Sequence, residues 1–252
     1  MPRRMKPAFK CLSPETGTNY WIYVCAPDPR RDPGPWPAVL YMDGDDQFKQ
    51  AVKAYRALRK KGQVPPLLLV GVGYGARYSR ETNKRGRDYT PTHHSFEPSS
   101  GGAKAFLAFL TATLWPELHR RYPIKARQRG IAGYSLGSLL VLHALFQAKP
   151  WFTHHLAGSP SVWWDNRSIL RQTKALRARH ATLRARLFLS VGEKDSESMT
   201  GDLALLEAQL AKKPFKGLDI TSCRFVGRDH FNALPEAFRA GLTALFGRLA
   251  SS

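Results

Sequence analysis

Five consecutive residues carry the plainest chemistry in this chain: Gly133-Tyr134-Ser135-Leu136-Gly137, a G-x-S-x-G pattern. A serine hydroxyl is a weak nucleophile at neutral pH, and it attacks a carbonyl only when a base and a suitable position activate it. The flanking residues supply the position. Gly130-Ile131-Ala132 reads as a short strand, and 136–148 reads as a helix. A sharp strand-to-helix turn strains the serine backbone and crowds its neighbours, so small residues must stand two positions away on either side. It also sets the hydroxyl at a helix N-terminus, where developing negative charge is stabilised.

The base and the acid must come from later in the chain, because in a strand–elbow–helix hydrolase they follow the serine in the order acid, then histidine. Among eight histidines, His230 fits best. It follows the strand-like run 219–226, in the loop Gly227-Arg228-Asp229-His230. His93, His94, His154 and His155 form adjacent pairs, and His119, His143 and His180 fall inside helical stretches. The acid is expected in Gly192-Glu193-Lys194-Asp195, after the strand at 186–191. Asp195 holds the last position of that turn and is the favoured acid, with Glu193 close enough to substitute. An oxyanion needs two backbone N–H donors. Leu136, directly after the serine, offers one; Asp45, in the loop Asp43-Gly44-Asp45-Asp46, is expected to offer the other. Those aspartates lack EF-hand spacing, and neither a metal nor an organic cofactor is expected.

These loops require a scaffold that brings them to one edge. Strand-like runs at 19–26, 38–42, 66–72, 153–157, 186–191 and 219–226 alternate with helical spacing at 47–61, 103–122, 136–148, 168–180, 202–212 and 235–249. Pro116 is expected to kink the second of these helices. Strands apolar on both faces and separated by helices predict a mostly parallel sheet flanked by helices, in one domain over 1–252. Such sheets carry their sites at the carboxyl ends of the strands. The polar stretch at about 73–102 is long for a loop within a compact domain, and a loop of that length is usually functional.

Composition narrows the classes. The chain holds 39 Lys+Arg against 19 Asp+Glu, a net charge of +20 spread along its 252 residues rather than gathered in a tail. A solvated basic surface explains this, including the basic stretch 167–186, and no nucleic-acid motif accompanies it. A non-catalytic basic binding module is the rival class. No apolar run reaches the ~18 residues that span a membrane. Cys11, Cys25 and Cys223 show neither a disulfide framework nor metal-ligand spacing. With no signal-peptide pattern at the start, a cytoplasmic protein is expected. The expected partner is a small-molecule ester rather than nucleic acid or membrane, and the oligomeric state stays open.

Several further stretches bear on family. They are Val39-Leu40-Tyr41-Met42-Asp43-Gly44, Arg87-Asp88-Tyr89-Thr90-Pro91-Thr92, Gly101-Gly102-Ala103 and Ser159-Pro160-Ser161-Val162-Trp163-Trp164. With the serine, acid and histidine motifs, they resemble the esterase D-like branch of the α/β-hydrolases, and within it the enterochelin esterase-like group. The resemblance implies an α/β-hydrolase fold and a serine esterase working through an acyl-enzyme. It implies siderophore trilactones or other acyl esters as substrates, and a pocket bordered by Arg87 and the loop that carries Trp163 and Trp164. Acyl transfer by the same triad is the alternative reaction.

Overall fold

Strands whose side chains are apolar on both faces need cover on both, and among the described residues six of the eight strands are followed by a helix. The computed structural model describes residues 5–247. In chain order the elements are β1 (Phe9–Leu12), β2 (Asn19–Cys25), β3 (Trp36–Tyr41), α1 (Phe48–Lys60), β4 (Leu68–Gly73), α2 (Arg85–Asp88) and α3 (Ala103–Ala108). A π-helical stretch (Phe109–Leu114) leads into α4 (Trp115–Arg121), then β5 (Ile124–Tyr134), α5 (Leu136–Leu145) and β6 (His154–Gly158). The chain closes with α6 (Trp164–Arg179), β7 (Thr182–Gly192), α7 (Glu197–Lys212), β8 (Lys216–Phe225) and α8 (Leu234–Phe246).

The strands form one sheet in the order β1-β2-β4-β3-β5-β6-β7-β8. The β1–β2 and β2–β4 pairings are antiparallel, and all pairings from β4 through β8 are parallel. On one face α1 and α8 bring Phe48, Tyr55, Phe238 and Leu242 against Tyr41 and Leu156. On the other, Phe106, Phe109, Leu139 and Leu203 pack over Leu40, Val70 and Leu189. The chain steps from β3 outward to β4 and then crosses to β5 on the other side of β3. The crevice between the carboxyl ends of β3 and β5 is therefore a topological switch point, where sheets of this kind bind ligands.

The expected α/β architecture is present, with local differences. β1 pairs Phe9 with Ile22 at the edge, and its mixed sequence FKCL alternates between half-buried and exposed. That run is too short and polar to stand out in the sequence. β5 is longer than its apolar end because its first half, rich in Lys, Arg and Gln, extends past the helical cover. Helical backbone runs without a break from α3 through the π-helical stretch into α4, and Pro116 sits in the first turn of α4. A π-helical turn beside a proline is a common way for a helix to accommodate the N–H that proline lacks. Asp165, Asn166 and Arg167 have left-handed φ values, so regular helix in α6 begins after them. Residues 248 and 249, at the end of the last expected helix, lie outside the described residues.

Candidate active site

Ser135 stands between β5 and α5 with φ 57° and ψ −122°, a strained conformation for a residue with a side chain. Gly133 explains why the motif needs glycine. A Cβ there would lie 2.3 Å from the Gly137 carbonyl carbon, so the chain could not close the turn. The Ser138 hydroxyl lies 2.8 and 2.7 Å from the carbonyls of Gly133 and Gly158. The Ser135 N–H donates to the Gly158 carbonyl and the Ser161 N–H donates to that of Ser135. The elbow is thus tied to the end of β6 as well as to its own helix. The free N–H groups of the first turn of α5 stand beside the serine.

The loops after β7 and β8 meet because Gly192 leaves room for them: a Cβ at that position would lie 2.4 Å from the Arg228 carbonyl oxygen. The Lys194 N–H donates to that same oxygen, at 2.8 Å. This lacing sets Asp195 Oδ2 2.9 Å from His230 Nδ1. An ionised carboxylate only accepts, so Nδ1 carries the proton and Nε2 keeps its lone pair. Asp195 Oδ1 takes the Ser196 N–H at 2.8 Å. Glu193 is engaged elsewhere, accepting the Gly227 N–H at 2.7 Å and so bracing the loop that leads to His230. Asp229 accepts the N–H groups of Phe231 and Asn232, a local turn that orients the histidine. The Tyr134 ring packs at 5.2 Å from the imidazole.

Ser135 and His230 open on one cavity of about 310 Å³, whose wall includes Gln47, Tyr78, Arg85 and Phe231. Phe231 is strongly exposed at its rim. The sequence sets Arg85 among the basic residues of the 73–102 stretch, with Arg77, Arg80, Lys84 and Arg87, that could clamp an anionic substrate; it gives no sign of the other three. Arg85 matters most. Its Nε and Nη2 donate to the two carboxylate oxygens of Asp43 at 2.8 and 3.1 Å. Burial by itself would loosen the Arg85 proton, but the charge and hydrogen bonds of Asp43 outweigh it and hold the proton more tightly than usual. Asp43 has φ 54°, and its N–H donates to the Tyr89 hydroxyl. Burial and the Asp43 charge together push that phenol well above its usual range, so it stays a neutral partner. This set fixes the backbone just before Asp45.

The sequence-expected site residues divide. Ser135 and His230 share a cavity, and Asp195 contacts His230. Leu136 opens α5 beside the serine. The Asp45 carboxylate turns away to the Tyr23 hydroxyl and to the N–H groups of Tyr74 and Gly75. Its own N–H has no acceptor among the described residues. Asp45 lines a neighbouring cavity, while Asp46 reaches both. Arg87 is absent from the cavity wall: its Nε donates to Asp88 Oδ1 at 2.7 Å and its Nη2 to Thr18 Oγ1 at 2.8 Å. The arginine of that loop which lines the cavity is Arg85, two residues earlier. Trp164 is buried and donates to Thr92 Oγ1, and Trp163 packs near-parallel to Phe96. Neither tryptophan lines the Ser135 cavity. No cluster of His, Cys, Asp or Glu among the described residues is arranged to hold a metal ion, and no helix among them is long and apolar enough to cross a membrane.

The strand order, the switch point and the elbow define an α/β-hydrolase. The family described as "Putative esterase" matches residues 13–244, and the chain belongs to it; it is a carboxylic ester hydrolase. The chain is 29% identical over 235 residues to the ferri-bacillibactin esterase BesA of Bacillus subtilis (strain 168), covering 86% of this chain and 81% of that one. It is 32% identical over 173 residues to the siderophore triacetylfusarinine C esterase of Aspergillus fumigatus, covering 65% of this chain and 59% of the other. The crystal structure of BES protein from Bacillus cereus superposes with a TM-score of 0.84 at 27% identity, covering 94% and 93% of the two chains.

Proposed function

We propose that this esterase hydrolyses siderophore esters, with Ser135 as nucleophile, His230 as base and Asp195 as the acid that orients it. The observation that carries the triad is the Asp195–His230 contact at 2.9 Å beside a serine held at φ 57° in the same cavity. The relatives, which include a ferri-bacillibactin esterase and a triacetylfusarinine C esterase, support the substrate class. Glu193 is set aside as the acid because its carboxylate serves the loop backbone.

In the first half-reaction His230 Nε2 takes the Ser135 proton as Oγ attacks the ester carbonyl carbon. The N–H groups of Leu136 and Asp45 hold the oxyanion, and Asp195 stabilises the imidazolium. The carbon–oxygen bond to the alcohol then breaks, and His230 returns the proton to the leaving alkoxide. In the second half-reaction His230 takes a proton from water, whose oxygen attacks the acyl-enzyme. Collapse releases the acid and restores Ser135.

The test is turnover in H₂¹⁸O of an iron-loaded tricatecholate trilactone, with p-nitrophenyl acetate alongside, followed by mass spectrometry. The expected products are ring-opened catecholate acids that carry one ¹⁸O for each ester bond cut. Cleavage of p-nitrophenyl acetate with the trilactone left intact would contradict the substrate class.

A further inference from the structure

The Ser135 cavity, at about 310 Å³, stands at the small end of the ~300–1,000 Å³ range of ligand pockets. An ester with several arms overfills it. Next to it lies a second cavity of about 500 Å³, lined in part by Trp21, Lys6, Lys49 and Arg77. The two share Asp46, and the consecutive residues Arg77 and Tyr78 face one cavity each. Asp45, proposed above as an oxyanion donor, lines the second cavity too. The two spaces therefore lie on either side of the oxyanion loop.

The charges in the second cavity are arranged unlike those in the first. Arg85, in the first, is spent on Asp43. Lys6, Lys49 and Arg77 have no ion-pair partner among the described residues. The two carboxylates present are occupied: Asp45 by Tyr23, Tyr74 and Gly75, and Asp46 by the Tyr78 N–H. Burial and the neighbouring Asp43 and Asp45 charges push the Asp46 carboxyl upward, while the Tyr78 N–H and the Arg77 charge pull it back. Trp21 supplies aromatic surface, and the Lys10 ammonium stands 4.7 Å from its ring centroid. Free cations around an indole suit a ligand that is both anionic and aromatic.

We propose that this second cavity binds an anionic aromatic arm of the same ester molecule whose scissile bond lies at Ser135. The proposal rests on the siderophore-ester reading above, in that it requires a substrate with more than one arm. A bound arm tethers the substrate beside the nucleophile and makes delivery of the ester effectively intramolecular.

The test compares two probes, the linear dimer ester of N-(2,3-dihydroxybenzoyl)serine and the methyl ester of its monomer. Binding is measured by calorimetry in the Ser135→Ala protein, where turnover does not interfere. The dimer is expected to bind at least tenfold more tightly than the methyl ester. Lys49→Gln with Arg77→Gln, both at exposed positions, is expected to remove that advantage and leave the methyl ester within twofold. With Ser135 present, the same pair of changes is expected to raise KM for the dimer about tenfold with kcat little changed. Trp21→Leu is expected to weaken the dimer alone. Equal dimer affinity with and without the two cations overturns the proposal. Displacement of the dimer by inorganic phosphate, with Trp21→Leu silent, overturns it also, since the site would then be a plain anion site. Lost hydrolysis of both probes with the binding difference intact removes the ester reading and leaves the second site standing. Hydrolysis with equal binding does the reverse.

Discussion

Two buried carboxylates stand on opposite sides of the switch point, and they hold very different partners. On the β7–β8 side, Asp195 (2% exposed) contacts His230 (27% exposed). On the β3–β4 side, Asp43 (fully buried) contacts Arg85 (20% exposed). The two pairs look alike as geometry and differ in what the partner can do. An imidazole gains and loses a proton near neutral pH, and its second nitrogen remains available. A guanidinium does not deprotonate, and both of its inward N–H groups are used on Asp43. On the proposed mechanism the first wall moves a proton. The second stays still, and it holds the Asp43 backbone, at φ 54°, that leads to Asp45. Charge near a catalytic serine is thus no guide to substrate binding until its partners are counted.

The sharpest way to break this comparison is to remove the charge on the mobile side. Asp195→Asn is expected to cut kcat by up to ~10⁴, the loss seen when a triad acid is neutralised. Glu193→Gln, which touches only the supporting loop, is expected to cost less than tenfold. Steady-state kinetics on one ester decides it, and a larger loss from Glu193→Gln would move the acid to that residue. On the fixed side, Arg85→Met strands the Asp43 charge and is expected to lower unfolding free energy by about 3–5 kcal/mol. Urea denaturation measures it, and Arg85→Lys is expected to recover part of the loss. An unchanged midpoint in Arg85→Met would show that this pair does not brace the loop.

A second imidazole sharpens the contrast with His230. His155, on β6, is fully buried, and burial holds its pKa down at about 3, against 6.5 for the free side chain. Between those pH values the unfolded chain binds a proton that the folded chain refuses. His155 therefore contributes its full stability above pH 6.5 and loses it as pH falls toward 3. The loss approaches ~1.4 kcal/mol for each pH unit in that window, or about 2 kcal/mol by pH 5. His155→Leu is expected to flatten this acid limb in melts run from pH 7 to 4; an identical limb in the variant would refute it. The smallest effect is expected from Arg87→Ala. Asp88 keeps its hydrogen bonds from Tyr20 and Tyr74, so about 1–2 kcal/mol of stability is lost and KM for an anionic ester stays level. A selective rise in KM would return Arg87 to the substrate pocket.

The contrast between the two walls also explains how much was legible beforehand. The alternation of apolar strands and amphipathic helices predicted the sheet, and the G-x-S-x-G turn with its flanking strand and helix located Ser135, because local sterics leave few residue types free there. The Asp195–His230 contact was legible because both residues follow strands that must end at one sheet edge. The 73–102 stretch offered no periodicity. Its arginines are alike in sequence, and only the fold pairs Arg85 with Asp43 and Arg87 with Asp88. Trp163 and Trp164 read as an aromatic surface, but both pack against Phe96, and Trp164 is buried and bonded to Thr92. The Lys49, Arg77 and Trp21 cavity was not visible at all, since its walls come from β2, α1 and a loop far apart in the chain.

The most direct test is covalent labelling of the nucleophile. A fluorophosphonate is expected to form one adduct per chain, mapped by peptide mass spectrometry to the segment holding Ser135. Ser135→Ala is expected to melt cooperatively near the wild-type temperature, take up no label and lose ester hydrolysis. Labelling of Ser135→Ala at the wild-type rate, on any other residue, would contradict the assignment of Ser135, and with it the roles given to His230 and Asp195.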